Sequence, residues 1–182
     1  MGLNIGYLTS DKKSDELYTP YYAVEPVIKY LPPPKDEKIV WCPFDEEWSA
    51  YYQLLKDKGF SVVRSSLHDG KDFFKYEPEK WDLIVSNPPF SKKDEVLKRL
   101  YEFGKPFAIL LPLNSLQGKT RYQYFAQGIQ LLSFDARICF HNPQSMVNVQ
   151  KGTPFASAYF CRKLLPTDLI IEKLYPHEKR LI

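Results

Sequence analysis

Residues 81–90 read Trp-Asp-Leu-Ile-Val-Ser-Asn-Pro-Pro-Phe, an apolar run of strand character that stops at two prolines. A strand is expected to end there, because proline lacks the N–H group that a sheet ladder needs. This explains the prolines, but not the Asn before them or the aromatic residue after them. At ordinary amino-acid frequencies, Asp, Asn or Ser followed by Pro-Pro and an aromatic residue is expected roughly 0.01 times in such a chain. We therefore predict a buried strand over residues 81–86 with a functional motif at its carboxyl end.

The motif Asn87-Pro88-Pro89-Phe90 suits the handling of a nucleobase amine. The exocyclic amine of adenine is a poor nucleophile, because its lone pair is delocalised into the ring. An Asn side-chain oxygen and a nearby backbone carbonyl can accept hydrogen bonds from this amine and aim its lone pair at an electrophilic methyl group. The prolines fix the backbone, and an aromatic ring gives an extruded base a face to stack on. Methyl transfer is then largely a matter of positioning.

Strands and helices alternate over most of the chain. Apolar periodicity and Gly or Pro terminators predict helices at 22–31, 48–58, 94–103 and 119–127, and strands at 39–42, 60–64, 81–86, 107–111, 129–134, 137–140 and 155–161. This alternation predicts an α/β fold with a mostly parallel central sheet. The late strands follow one another without a helix, which predicts an antiparallel hairpin at one edge. Ligands of such sheets bind beyond the carboxyl ends of the strands.

Length and composition indicate a single globular domain. The chain has 182 residues, and we assign residues 1–18 to an N-terminal arm and 164–182 to a tail of strand exit, turn and short polar helix. No apolar run reaches the ~18 residues of a membrane span and no secretory signal is visible, so a cytoplasmic location is expected. A net charge of +3 does not by itself indicate nucleic acid. The 15% aromatic content fits either a ring-rich core or rings that stack on bases.

The cysteines and histidines give no pattern of a metal site. Cys42, Cys139 and Cys161 are widely spaced and form no CxxC pair, and the three His residues are scattered. Zinc sites need closely spaced ligand pairs, so we predict no metal and reduced thiols.

The motif at residues 87–90 resembles that of the S-adenosylmethionine-dependent adenine-N6 methyltransferase family, in the small catalytic-domain form found in phages and mobile elements. The resemblance extends over about residues 15–163. It implies a Rossmann-like methyltransferase fold, S-adenosylmethionine as cofactor and nucleic acid as substrate, DNA in preference to RNA, in the cytoplasm of a cell or of a phage host. It also implies that Asn87 and the Pro88 carbonyl bind the target amine, with Pro89 and Phe90 completing the catalytic motif. Asn rather than Ser before the prolines resembles the adenine-specific type.

Three further segments resemble family motifs. Asp72-Phe73 resembles the Asp-Phe segment, which implies that Asp72 binds the adenine amino group of the cofactor and that Phe73 lies on its ring. Thr19-Pro20 resembles the leading segment that touches the methionine end of the cofactor. Residues 152–157 resemble the late aromatic segment, which implies that Phe155 flanks the flipped base opposite Phe90. Residues 111–121 resemble the loop that follows a central strand.

The cofactor loop departs from the family pattern. Where the family has Asp-Pro-Phe-x-Gly-x-Gly, residues 42–48 read Cys-Pro-Phe-Asp-Glu-Glu-Trp, so Phe44 is kept while Glu46 and Trp48 replace the glycines. Asp45 is the candidate for the cationic amino group of the cofactor. Glu46 and Glu47 are expected to turn toward solvent or toward the N-terminus of the following helix, where acids are favoured.

Two interpretations remain open. A carboxylate normally follows the second strand and takes the ribose hydroxyls, but here Arg64 stands there and Asp69 comes later, as a displaced substitute or an ordinary loop residue. The first interpretation is an active adenine methyltransferase with a variant cofactor loop. The second is a non-catalytic protein that binds nucleic acid or protein on a methyltransferase scaffold. A dinucleotide-dependent oxidoreductase is disfavoured, because Gly-x-Gly-x-x-Gly is absent.

Overall fold

The computed structural model describes residues 17–142, 145–149 and 155–176. Most of the predicted N-terminal arm, part of the late aromatic segment (152–154) and the last residues of the tail lie outside these ranges, and the single-domain assignment of the whole chain stays a prediction. The helices are α1 (Tyr21–Ile28), α2 (Ala50–Asp57), α3 (Lys93–Phe103) and α4 (Lys119–Phe125). Short 3₁₀ turns cover Pro34–Asp36, Phe90–Lys92 and Leu113–Leu116. In the described ranges no helix is long and apolar enough to cross a membrane.

The strands form one large sheet and one small ribbon. They are β1 (Ile39–Cys42), β2 (Ser61–Arg64), β3 (Leu83–Ser86), β4 (Phe107–Pro112), β5 (Gln130–Phe134), β6 (His141–Asn142), β7 (Ser145–Val149), β8 (Ser157–Arg162) and β9 (Leu169–Glu172). Seven of them make a sheet in the order β2-β1-β3-β4-β8-β5-β9, while β6 and β7 pair antiparallel in the ribbon.

Strand directions confirm the predicted α/β fold. Strands β1 to β4 are mutually parallel, β8 is antiparallel to β4 and to β5, and β9 runs parallel to β5. Because β1 has β2 on one side and β3 on the other, the chain reverses its winding direction between β1 and β3. In open α/β sheets, such a reversal leaves a crevice at the carboxyl ends of the two strands.

Apolar side chains cover both faces of the sheet. Helices α1 and α2 pack on one face. The fully buried residues there include Val24 of α1, Leu55 of α2 and Tyr159 of β8. Helix α3 packs on the other face with Leu97, around a cluster of aromatic rings centred on Trp41. The Trp41 ring lies 5.2–6.3 Å from four other aromatic rings, so much of the aromatic content serves the core on this face.

Helix α2 begins later than the apolar pattern predicts. Ser49 is its N-cap and accepts a hydrogen bond from the Tyr52 N–H group at 3.4 Å, so the helix starts at Ala50. Trp48, the first residue of the predicted helix, instead precedes the cap and is 38% exposed. This shift moves the Trp48 ring from the core to the crevice.

The late part of the chain differs from the prediction in two places. Residues 137–140 form no strand, although Phe140 is fully buried, because the chain first pairs at His141. The tail contains strand β9 where a turn and helix were expected. In β9, Leu169 and Ile171 are exposed and Ile170 packs on the core, a period-two pattern that is too short to stand out in the sequence.

Candidate active site

The carboxyl ends of β1 and β3 meet around two polar side chains. Ser86, the last residue of β3, donates a hydrogen bond from its hydroxyl to the buried carboxylate of Asp45 at 2.5 Å. Asn87 follows directly and lines a narrow cavity of about 60 Å³. Thr19, Phe44 and Asp45 line the same cavity, so two segments distant in sequence converge on Asn87.

The amide of Asn87 has a fixed orientation. Its Nδ2 group donates to the Leu17 carbonyl at 2.8 Å, whereas the flipped amide would place oxygen against oxygen. Its Oδ1 atom is buried and has no hydrogen-bond partner within the part of the chain that the structure describes. A buried acceptor without a partner costs about 1–3 kcal/mol, so the site is short of one donor. An amine of a bound ligand would supply that donor.

Residues Leu17–Pro20, here called the cover segment, lie over this cavity. Tyr18 pairs with His141 through both backbone hydrogen bonds, at 3.1 and 2.9 Å, and its ring contacts Trp48 edge-on at 4.6 Å. Thr19 and Pro20 are buried, and Pro20 precedes α1 directly. Of the Thr-Pro pair singled out in the sequence, Thr19 therefore lines the same cavity as Asn87, whereas Pro20 does not.

A second, wider cavity of about 450 Å³ opens on the other side of Phe44. Asp72, Phe73 and Pro89 are among its lining residues, and half-buried Phe44 lines both cavities. One carboxylate oxygen of Asp72 accepts a hydrogen bond from the Phe74 N–H group at 3.0 Å, which holds the carboxylate beside the cavity.

The ring of Phe73 belongs mostly to the core. It is 2% exposed and lies 4.8 Å from the Phe44 ring and 5.5 Å from the Trp41 ring. Phe44 and Phe74 are half-buried and line the wider cavity, so they offer more ring surface to a ligand there. Phe74 was missed in the sequence, because adjacent phenylalanines give no sign of which one faces the core.

Two acids of the variant loop and Asp69 surround Arg64. Its guanidinium lies 2.5 Å from the Asp69 carboxylate, 3.3 Å from Glu47 and 3.7 Å from Glu46. The expectation that Glu46 turns away was wrong, because Glu46 pairs with Arg64 and His68 and lines the narrow cavity. Asp69 lines neither cavity. The arginine thus balances the charges of Glu46 and Glu47 in the variant loop and of Asp69 after β2.

Replacing Arg64 with Gln should lower the free energy of unfolding by about 1 kcal/mol, since several carboxylates lose their shared cation. The loss should shrink in 1 M salt, which screens the remaining repulsion. Thermal melts at low and high salt measure both effects. Lys38→Gln is the matched control, because Lys38 makes one exposed pair with Asp82 at 3.1 Å and should change stability much less. Equal losses in the two variants at both salt concentrations would contradict the assignment.

Asp45 is a carboxyl group held in an apolar setting. Burial raises its pKa to about 6, against the opposing effect of hydrogen bonds from Ser86 and Ser49. A buried carboxylate at the end of a narrow cavity is suited to a cation that replaces the water it has lost. An ammonium group is the natural occupant, because it supplies both the charge and the hydrogen-bond donors.

Three phenylalanine rings cluster beyond the motif. Phe90 and Phe155 meet edge-to-face with their centroids 5.7 Å apart and their planes at 83°. Phe140 lies 6.3 Å from Phe90 and 6.2 Å from Phe155. Phe90 and Phe155 are half-buried, while Phe140 has no exposed surface and supports them from the core. The structure thus brings together the two rings that the resemblance assigns to base stacking.

The class of fold is clear from a solved structure that resembles this chain. No family model matches the chain. A crystal structure of the methyltransferase subunit of a type I restriction-modification system from Streptococcus thermophilus superposes with a TM-score of 0.50 at 15% identity, covering 90% of this chain and 48% of that one. The described chain therefore has a methyltransferase fold, as residues 87–90 predict.

A protein that is similar in sequence narrows the class of methyltransferase. The type II methyltransferase M.EcoRI from Escherichia coli is 27% identical, in an alignment covering 59% of this chain and 48% of that protein. The predicted resemblance to the adenine-N6 methyltransferase family is thereby confirmed. The chain spans about half the length of the relatives that it matches.

Proposed function

We propose that this protein transfers a methyl group from S-adenosylmethionine to the N6 amine of adenine in nucleic acid, with DNA preferred over RNA. The observation that carries the proposal is the Oδ1 atom of Asn87, which is buried, unpartnered among the described residues and fixed in orientation by Leu17. A hydrogen-bond acceptor held in this way suits an amine whose lone pair must point in one direction.

The two cavities suit the two ends of the cofactor. In the narrow one, the Asp45 carboxylate would bind the cationic amino group of the methionine end, with Thr19 of the cover segment beside it. In the wide one, Asp72 would accept a hydrogen bond from the adenine amino group, with Phe44 and Phe74 against the ring and Phe73 behind them in the core. When bound, S-adenosylmethionine supplies an electrophilic methyl group.

The motif residues hold the target amine. Asn87 Oδ1 and the Pro88 carbonyl accept its two N–H groups, which turns the nitrogen lone pair away from the base plane. With S-adenosylmethionine bound, its methyl group would pass to this nitrogen, with the N–C bond forming as the S–C bond breaks, and the displaced proton would go to water. Neither oxygen needs to act as a base, so the chain contributes positioning and desolvation. Pro89 shapes the turn, and the base stacks on the ring of Phe90, with the edge-to-face ring of Phe155 beside it.

One observation favours the non-catalytic alternative. The narrow cavity holds about 60 Å³, well below the roughly 300 Å³ of small ligand sites. Tyr18 and Trp48 meet over it, so an enzyme must move the cover segment away before the cofactor enters. A protein that keeps the scaffold only for binding would leave this segment closed.

Calorimetric titration with S-adenosylmethionine separates the two functions. An enzyme should bind the cofactor with a Kd on the order of 10–100 µM, weakened relative to a glycine-rich loop. Heat of binding that saturates with one site per chain supports the proposal. Absence of binding at millimolar cofactor, in protein shown to be folded by circular dichroism, establishes the non-catalytic alternative.

Replacing Phe90 with Ala should reduce methyl transfer by about 10- to 100-fold, because stacking on an extruded base contributes roughly 1–3 kcal/mol. Cofactor affinity should change little, since Phe90 lines neither cavity. Initial rates and calorimetry measure the two quantities. Phe90→Tyr keeps the stacking face and should retain most of the activity. If the Ala variant loses cofactor affinity instead of rate, Phe90 has been placed on the wrong side of the site.

A further inference from the structure

Ser157 carries a buried hydroxyl that nothing in the described ranges satisfies. It is 6% exposed, and its Oγ atom has no hydrogen-bond partner there. Side chains alternate along β8, and Tyr159 and Cys161 belong to the core on the α1–α2 face. Ser157 therefore faces the same side, where Phe155 packs two residues before it.

The position of Ser157 in the sheet is close to the proposed base site. It pairs with Pro112 at the carboxyl end of β4, and the ladder continues one step further through the Leu113 N–H bond to the Ala156 carbonyl at 2.8 Å. Strand β4 is also the neighbour of β3, which leads into Asn87. The Ser157 hydroxyl and the Asn87 amide oxygen are thus two unsatisfied polar groups at one edge of the sheet, separated by a single strand.

The Asn87 side chain and the two prolines of the motif offer the base no hydrogen-bond donor. Adenine presents an amine donor beside ring-nitrogen acceptors, N1 on one side and N7 on the other. Asn87 offers an acceptor and turns its Nδ2 group toward Leu17, while Pro88 and Pro89 have no N–H groups. A ring nitrogen buried without a donor would cost about as much as any lost hydrogen bond.

We propose that the Ser157 hydroxyl donates a hydrogen bond to a ring nitrogen of the flipped adenine, and so fixes the base in the plane that Asn87 requires. This inference rests on the proposed function and adds a specificity-determining residue to it. The serine sits two residues beyond Phe155, whose ring lies beside the base, so one segment supplies both a ring contact and the donor. The same contact would satisfy the buried hydroxyl, which has no partner among the described residues.

The test compares methyl transfer by Ser157→Ala with that of the unaltered protein on a pool of duplexes with randomised sequence. Parallel pools carry 7-deazaadenine or 1-deazaadenine in place of adenine, which removes one acceptor nitrogen at a time. On ordinary adenine, the variant should be about tenfold slower. On the analogue that lacks the contacted nitrogen, both proteins should be equally slow. Ser61→Ala, exposed at the start of β2, is the matched control.

The thermal stability of Ser157→Ala is a second measure, and it is not expected to fall with the rate. Removing an unsatisfied buried hydroxyl should leave the melting temperature of Ser157→Ala unchanged or higher, whereas a structural serine would lower it. A variant that is slower by the same factor on all three pools, or fully active, overturns the contact. So does a penalty that appears in Ser115→Ala instead, since the Ser115 hydroxyl is also buried and unpartnered among the described residues.

Failure of this contact is distinguishable from failure of the proposed function. If the unaltered protein binds S-adenosylmethionine and methylates adenine while Ser157→Ala matches it, only the contact is wrong. If no methyl transfer occurs, binding of fluorescent duplexes with a mismatched adenine, compared with the deaza analogues, still decides the contact. Equal affinity for all of them overturns it.

Discussion

Replacing Asn87 with Ala is expected to lower the rate of methyl transfer by about 10³-fold while cofactor affinity stays within a few-fold. The Asn87 oxygen is proposed to act on the target amine alone, so its loss removes an interaction that orients the lone pair in the transition state. Deleting one preorganised hydrogen-bonding group from an enclosed site typically costs 10²–10³ in rate. Single-turnover methylation and calorimetry measure the two quantities.

Asn87→Asp is the matched control for this variant. It keeps an acceptor oxygen toward the amine but places a second oxygen near the Leu17 carbonyl. In the unaltered protein this carbonyl accepts a hydrogen bond from Asn87 Nδ2 at 2.8 Å. The Asp variant should therefore retain far more activity than the Ala variant and lose some stability. Folding of both variants is checked by thermal melts. Full activity in Asn87→Ala would remove the residue from the catalytic site.

Asp45→Asn is expected to weaken S-adenosylmethionine binding by about 10- to 100-fold at pH 8, because a charge-assisted hydrogen bond contributes roughly 1.5–3 kcal/mol. Affinity of the unaltered protein should itself fall about tenfold between pH 7 and pH 5, since burial raises the pKa of Asp45 to about 6 and the protonated acid has no charge for the ammonium group. The variant should show no such pH dependence. Calorimetry at three pH values tests both statements.

The same pKa shift predicts the opposite effect on the stability of the unliganded protein. The unfolded carboxyl loses its proton near pH 3.8 and the folded one near pH 6, so stability falls as pH rises between these values and stays lower above them. Removing the charge should therefore stabilise Asp45→Asn by about 1–3 kcal/mol at pH 8 and by little at pH 4. A variant that is both less stable at pH 8 and unaltered in cofactor affinity contradicts the role given to Asp45.

Local patterns were sufficient to predict much of the fold. The apolar runs of β1, β3 and β4 and the glycine after α3 are properties of neighbouring residues, and they place these elements within a few positions. The motif at 87–90 is equally local, since proline both ends the strand and fixes the turn. The start of α2 was misplaced, because an N-cap serine competes with a helical apolar pattern that extends one residue further back.

The environment of each site residue depends on contacts that no local pattern encodes. The pairing of Arg64 with Glu46 joins segments 18 residues apart, and the contact of Asn87 with Leu17 spans 70 residues. Phe73 packs in the core, whereas Phe74 keeps ring surface toward the wider cavity, because the Phe73 ring is the one that contacts Trp41. The absence of a partner for Ser157 among the described residues is visible only once its neighbours are in place.

The most direct test is chemical identification of the product. The protein is incubated with S-adenosylmethionine and unmethylated DNA, and in parallel with RNA, and the nucleosides are then quantified by mass spectrometry. The proposed function predicts N6-methyldeoxyadenosine from DNA, in larger yield than N6-methyladenosine from RNA, and neither with Asn87→Ala. Folded protein that produces no N6-methylated adenine from either nucleic acid at saturating cofactor would contradict it.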